Sequence, residues 1–204
     1  MPKVSEEHAA ARREQILSAA QRCFARKGFH NTSMNDVFAE AGLSAGAVYS
    51  YFKSKDEIIV AMSDRAVRMI VPFFDEVLAE EPTPPLEDVM RRFAVELEKL
   101  VAGPGSIAPQ VWAEATHNPA LVPAVSANLR RMRGFWTEIA RREQAAGRMA
   151  PDADVAAVGT VLFSMTPGYM FGHLLLGDLG PDTVARGLRD LRGALLRRAF
   201  RSRQ

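Results

Sequence analysis

Few side chains of this sequence are spaced for catalysis. Cys23 is the one cysteine, so an intrachain disulfide or a multi-cysteine zinc site has no material. His8, His30, His117 and His173 are scattered along the chain, and none belongs to an HExxH motif or pairs with the cysteine. A glycine-rich phosphate loop before a helix and a nucleophile elbow are also absent. The expectation is no catalytic residue, no metal and no cofactor: not an enzyme. The chemistry that the spacing does favour is contact with a phosphate strand. Ser33, Ser44 and Ser54 each open a helix-forming stretch, Tyr49 stands among small residues, and Lys53 and Lys55 follow where a phosphate strand can pass.

The elements that must position these residues are short helices. From Arg12 to Lys27, Ile16, Ala19, Ala20, Cys23 and Phe24 recur on one helical face, and Gly28 supplies the left-handed cap at which Phe29 folds back. Ser33 and Asp36 have the spacing of a capping box for a second helix, whose buried stripe is Met34, Val37, Phe38 and Ala41. Gly42-Leu43-Ser44 makes a turn with Ser44 as the next cap, and a third helix runs roughly from Ala45 to Phe52. Two short helices about a glycine turn form a helix-turn-helix, whose second helix enters the major groove. On that helix Val48, Tyr51 and Phe52 face or border the core, leaving Ala45, Gly46, Tyr49 and Ser50 outside, small enough for close approach to DNA. Ser54 and Glu57 repeat the capping-box spacing at the start of a fourth helix.

Taken together, Gly28-Phe29, Thr32-Ser33, the run from Ala41 to Phe52 and Ser54-Lys55-Asp56 resemble the N-terminal region of TetR-family repressors, over about residues 10 to 60. The resemblance implies a three-helix DNA-binding domain followed by about six further helices, in a homodimer on a near-palindromic operator. It assigns Thr32, Ser33, Tyr49 and Lys55 to phosphates, and Ala45, Gly46 and Ser50 to bases. Two departures stand out. Phe38 occupies a position where the family commonly has alanine, which should push the second and third helices apart or be absorbed by Ala45 and Ala47. Positions 45, 47 and 50 are smaller than the family often has, so direct readout is sparse and DNA shape or the N-terminal arm carries more. Other readings stand beside these. Ser44 and Ser54 serve as caps, with a cap also able to touch phosphate; Tyr51 and Phe52 are core; Arg12 and Arg13 either follow the DNA backbone or solvate the first helix.

Beyond residue 56 the pattern stays helical. One helix spans about 56 to 81 with Ile58, Ile59, Met62, Ala66, Met69, Ile70 and Phe73 along a stripe, and Pro72 inside it is either a hinge or a static bend. Others follow at about 86 to 102, 106 to 117, 119 to 147, 152 to 177 and 182 to 202. The fold expected is all-α, about nine helices, with residues 1–55 as the DNA-binding domain and 56–204 for ligand binding and dimerisation. A pocket among the middle helices would draw on Phe73, Phe93, Trp112, Phe135, Trp136, Phe163, Met165 and Tyr169, an apolar or aromatic lining; the same residues at helical spacing serve equally as core. Glu114, His117 and His173 are its polar candidates.

Residues 155–176 carry no Asp, Glu, Lys or Arg, and about 20 apolar residues suffice to cross a bilayer. Polar Thr160, Ser164, Thr166, Tyr169 and His173 and the flanking Asp154 and Asp178, without a basic cluster, favour instead a helix covered by a second subunit. With Val184, Leu188, Leu191 and Leu195 of the last helix it would form a four-helix dimer interface, as the resemblance also implies, leaving Arg186, Arg189, Arg197 and Arg198 largely on a solvated surface. The net charge of +2 locates nothing: residues 1–60 hold eight basic and seven acidic side chains, and 186–204 seven arginines against Asp190. The start lacks a secretory leader's apolar core, so a cytoplasmic protein is expected. The function expected is a sequence-specific, DNA-binding transcriptional regulator, released from double-stranded DNA by a small effector. A DNA-binding protein without an effector pocket is the second reading.

Overall fold

The computed structural model describes the backbone of residues 2–101 and 108–201 and the side chains of 6–101 and 109–192. Among the described residues the fold is nine helices and no strand: α1 Pro2–Lys27, α2 Met34–Ala41, α3 Ala45–Tyr49, α4 Lys55–Ala79, α5 Leu86–Val101, α6 Ala108–His117, α7 Val122–Ala145, α8 Val155–Leu176 and α9 Pro181–Arg201. The all-α expectation holds, and α1 starts ten residues before the expected Arg12. Two compact units divide the chain, Met1–Arg68 with Val101–Leu129, and Met69–Leu100 with Arg130–Gln204.

The first unit is built on the apolar face of α1. Ile16, Leu17, Ala20 and Phe24 are buried with Val37, Val48, Phe52, Ile58 and Met62, and with Val111 of α6, Val125 of α7 and Leu121 between those two helices. Each large side chain removed from water here contributes about 1.5–3 kcal/mol before the entropy of ordering it. Gly28, at φ +75°, ends α1. Beyond it, Phe29 returns onto Phe24 with ring centroids 5.3 Å apart. Polar ties hold α6 and α7 to the same unit: Asn118 Nδ2 donates to Asp56 at 3.0 Å, and Asn128 Nδ2 to Ser63 Oγ at 3.0 Å and Asp64 at 2.8 Å. His30 Nε2 lies 3.2 Å from the buried Glu114 carboxylate.

The second unit centres on aromatic rings. Phe74 stacks on Phe135 at 4.8 Å, and Trp136, fully buried, meets Phe74 and Phe93 edge-on. Such pairs add about 0.5–1.5 kcal/mol beyond their area. Here α8 approaches α7 so closely that a Cβ at Gly159 would fall 2.5 Å from Thr137 Cα. The buried carboxylates of Glu87 and Glu143 are matched by Arg192 at 2.6 Å and Arg148 at 2.5 Å, and Arg148 also donates to the Thr83 and Pro84 carbonyls. Burial of these charges is tolerated because each is paired and hydrogen-bonded.

One expectation about α4 is corrected. Met69 is 56% exposed, while Val67, Ile70, Phe74 and Val77 are buried. The buried face turns between the first half, with Ile58, Ile59 and Met62, and the second, and that rotation carries Met69 outward. Pro72 lies exposed within an uninterrupted α4.

Candidate nucleic-acid interface

The helix-turn-helix is fixed locally by its caps. Ser33 Oγ accepts from Asp36 N at 3.1 Å and Asp36 Oδ2 accepts from Ser33 N at 2.8 Å, the reciprocal capping box that the sequence predicts. Gly42, at φ 64° and ψ 33°, turns the chain in the left-handed region, and Ser44 Oγ accepts from Ala47 N at 3.3 Å to start α3. At the next start Ser54 Oγ accepts from Glu57 N at 3.2 Å, but the Glu57 carboxylate reaches Lys53 N rather than Ser54 N.

Val48 is buried, and Ala45, Gly46, Tyr49 and Ser50 are brought together on the open face of α3. A Cβ at Gly46 would meet nothing within 4 Å, so the fold itself does not require glycine there. Phe38 is absorbed against Tyr49, their rings edge-on at 5.2 Å. The Ser50 hydroxyl donates to Ala47 O at 2.7 Å, and Lys53 Nζ donates to Tyr49 O.

The residues assigned to phosphate fall in different places. Ser33 and Ser44 are exposed while serving as caps, and Tyr49 is 41% exposed with no hydrogen-bond partner for its hydroxyl among the described residues. Thr32 is 1% exposed and donates to Gly28 O at 2.8 Å, so its hydroxyl closes the corner between α1 and α2. Lys55 is half-buried, its ammonium donating to Phe29 O at 3.0 Å and lying 4.5 Å over the Phe29 ring. Arg13 lies 4.5 Å over Phe52, and Arg12 donates to Gln15 at 2.9 Å.

The cations at the end of α1 face acids of α2. Lys27 hydrogen-bonds Asp36 at 2.6 Å and, with Ser33, holds its carboxyl well below the usual carboxylate range. Arg22 at 2.6 Å and Arg26 at 2.9 Å lower Glu40 in the same way. Burial, with Glu40 nearby, raises the Cys23 thiol, which makes it an unreactive core group.

Of the aromatic residues expected at an effector site, Phe73, Phe93, Phe135 and Trp136 gather in the second unit with Phe74, which sequence reasoning passed over although it adjoins Phe73. Trp112 instead packs against the core of the first unit. Phe163 and Met165 are half-buried on α8. Tyr169 donates to Glu98 at 2.6 Å, and burial followed by that carboxylate raises its phenol. His173 Nδ1 lies 3.3 Å from Glu98 and 3.2 Å from Leu179 O. His117 is exposed and bonds within its own helix.

A family model described as bacterial regulatory proteins of the tetR family matches residues 16–62. The chain is 44% identical over 63 residues to the HTH-type transcriptional repressor Rv1474c of Mycobacterium tuberculosis, covering 31% of this chain and 34% of that protein. It is 26% identical over 190 residues to the HTH-type transcriptional regulator UidR of Escherichia coli, covering 90% and 92%. The solved structure of Salmonella enterica GusR superposes with a TM-score of 0.76 at 23% identity, over 92% of this chain and 96% of that one, which establishes the shared fold. With a capped helix-turn-helix inside the matched segment and the whole helical fold behind it, residues 16–62 of this chain are a DNA-binding domain of the tetR family of bacterial regulatory proteins.

Proposed function

We propose that this regulator is a homodimeric repressor in the cytoplasm. It occupies a near-palindromic operator and leaves it when a small, largely apolar or aromatic molecule binds. Residues 1–55 read DNA and residues 56–204 bind the effector and pair the subunits. The observation that carries the dimer is the apolar surface of the last two helices. Val161 is 62% exposed, Leu175 78%, Leu176 72% and Leu191 65%. An apolar strip of this kind on a folded chain marks a contact surface. α8 is the one helix among the described residues long and apolar enough to cross a membrane. Gly159 against Thr137 and Tyr169 on Glu98 hold α8 to its own subunit, so a second copy of the chain is the cover that fits its exposed apolar residues. Leu195, Arg197 and Arg198, expected in or beside the same interface, lie outside the described side chains.

Repression is supported by the name of the transcriptional repressor Rv1474c, which this chain matches over 63 residues. The apolar or aromatic character of the effector follows from the lining that Phe73, Phe93, Phe135 and Trp136, packed together as core in the second unit, would offer it. Sedimentation of the wild type and of Leu175→Glu tests the dimer. The expected result is a dimer at micromolar concentration for the wild type and a folded monomer, deficient in operator binding, for the variant. A wild-type monomer that binds DNA one chain at a time contradicts it. Melting shifts with small aromatic compounds, followed by release of bound DNA, test the effector.

A further inference from the structure

The reading head offers few side-chain groups to hydrogen-bond bases, and of these the exposed Tyr49 hydroxyl is assigned to phosphate. On α3, Ala45, Gly46, Ala47 and Val48 have no polar side chain. The Ser50 proton is committed to Ala47 O and the Ser44 oxygen to Ala47 N. The Lys53 and Lys55 ammonium groups donate to Tyr49 O and Phe29 O. On α2, Asp36 and Glu40 are ion-paired with Lys27, Arg22 and Arg26. Asn35 differs. It is exposed in the first turn of α2, and its amide has no partner among the described residues. One turn further along α2 stands Phe38, whose ring meets Tyr49, so helical spacing puts Asn35 on the side where α2 adjoins the exposed part of α3.

We infer that Asn35 supplies the base-reading hydrogen bonds of this regulator, to an adenine in each half-site, while α3 reads by apolar contact, with the Ala45 methyl against a thymine methyl. An amide offers a donor and an acceptor side by side, the pattern that matches adenine N7 and N6, and alanine is suited to the thymine C5 methyl. The missing Cβ of Gly46 and the small Ala45 let the groove floor come close enough for that contact. The partner is therefore B-form DNA with A·T pairs under α2 and α3. This rests on the DNA-reading function and adds the chemistry of its specificity.

The test uses a site enriched from random duplexes, with single adenines replaced by 7-deazaadenine and single thymines by uracil, against wild type, Asn35→Ala and Ala45→Gly. Wild type is expected to lose roughly fivefold at one deazaadenine per half-site, a loss absent in Asn35→Ala. It is expected to lose about fourfold at one uracil, a loss absent in Ala45→Gly. The proposal is overturned if the wild type is indifferent to every deazaadenine, or if Asn35→Ala weakens the site and a random duplex equally, which marks a phosphate contact. Melting curves confirm that Asn35→Ala stays folded. If no duplex is enriched at all, the DNA-reading function falls first and this inference with it.

Discussion

The ring of Phe38 meets the ring of Tyr49 edge-on, with centroids 5.2 Å apart, and so ties the buried side of α2 to the exposed end of α3. Tyr49 thus has two separable parts, a ring that packs and a hydroxyl without a partner among the described residues. Tyr49→Phe is expected to keep folding stability within about 0.5 kcal/mol while DNA affinity falls. Tyr49→Ala loses both, and Phe38→Ala costs about 3 kcal/mol in urea denaturation. Equal DNA binding by Tyr49→Phe and wild type would remove the hydroxyl from the interface.

Gly42 and Gly46 sit four residues apart and should respond in opposite ways. At Gly42 the backbone is left-handed, so Gly42→Ala is expected to destabilise by about 1 kcal/mol or more. Gly46 is helical with open space at its Cβ, so Gly46→Ala is expected to raise stability by about 0.5–1 kcal/mol. A stabilised variant with weakened DNA binding would show that Gly46 serves the approach to DNA; unchanged binding would remove it from that role.

Gly159 tests the packing of α8 on α7. A methyl there falls 2.5 Å from Thr137 Cα, a backbone atom that cannot swing aside. Gly159→Ala is expected to cost about 2–3 kcal/mol in chemical denaturation, as overpacking does. Gly168→Ala, where a Cβ has open space, should not.

Acid should loosen the reading head. The folded-state pKa of Asp36 is held down first by Lys27 and then by Ser33, and that of Glu40 by Arg22 and Arg26. Groups lowered on folding contribute stability that is complete above their unfolded value, about 4, and is lost as pH falls through the lower folded value. Asp36→Asn is therefore expected to be less stable than wild type at pH 7 and to show a shallower loss of stability below pH 4. Parallel curves for the two proteins would contradict the linkage.

The features that lie close together in sequence were readable from it. The stop at Gly28, the Ser33–Asp36 box, the Gly42 turn and the Ser44 cap each depend on a few adjacent residues. The apolar face of α1 follows from a period of 3.6. The early start of α1 escaped that reading because its first turns carry no apolar stripe. Residues whose role depends on distant partners were not readable either. Thr32 turns inward because carbonyls of the α1 corner stand beneath it. Trp112 joins the core of the first unit through contacts with no local signature, as do the ties of Asn118 and Asn128 to α4. Met69 lies outside because the buried face of α4 turns, which a single stripe cannot express. Asn35 has no motif, and that its amide lacks a partner among the described residues is visible only once its neighbours are placed.

The most direct test of the account is selection of binding sites from a random duplex library, with affinity for the recovered site measured at two salt concentrations for wild type and Tyr49→Ala. A palindromic site bound by two chains is expected, with affinity falling steeply in salt and again in the variant. Enrichment of no site, with wild type and variant binding all duplexes alike, would contradict it.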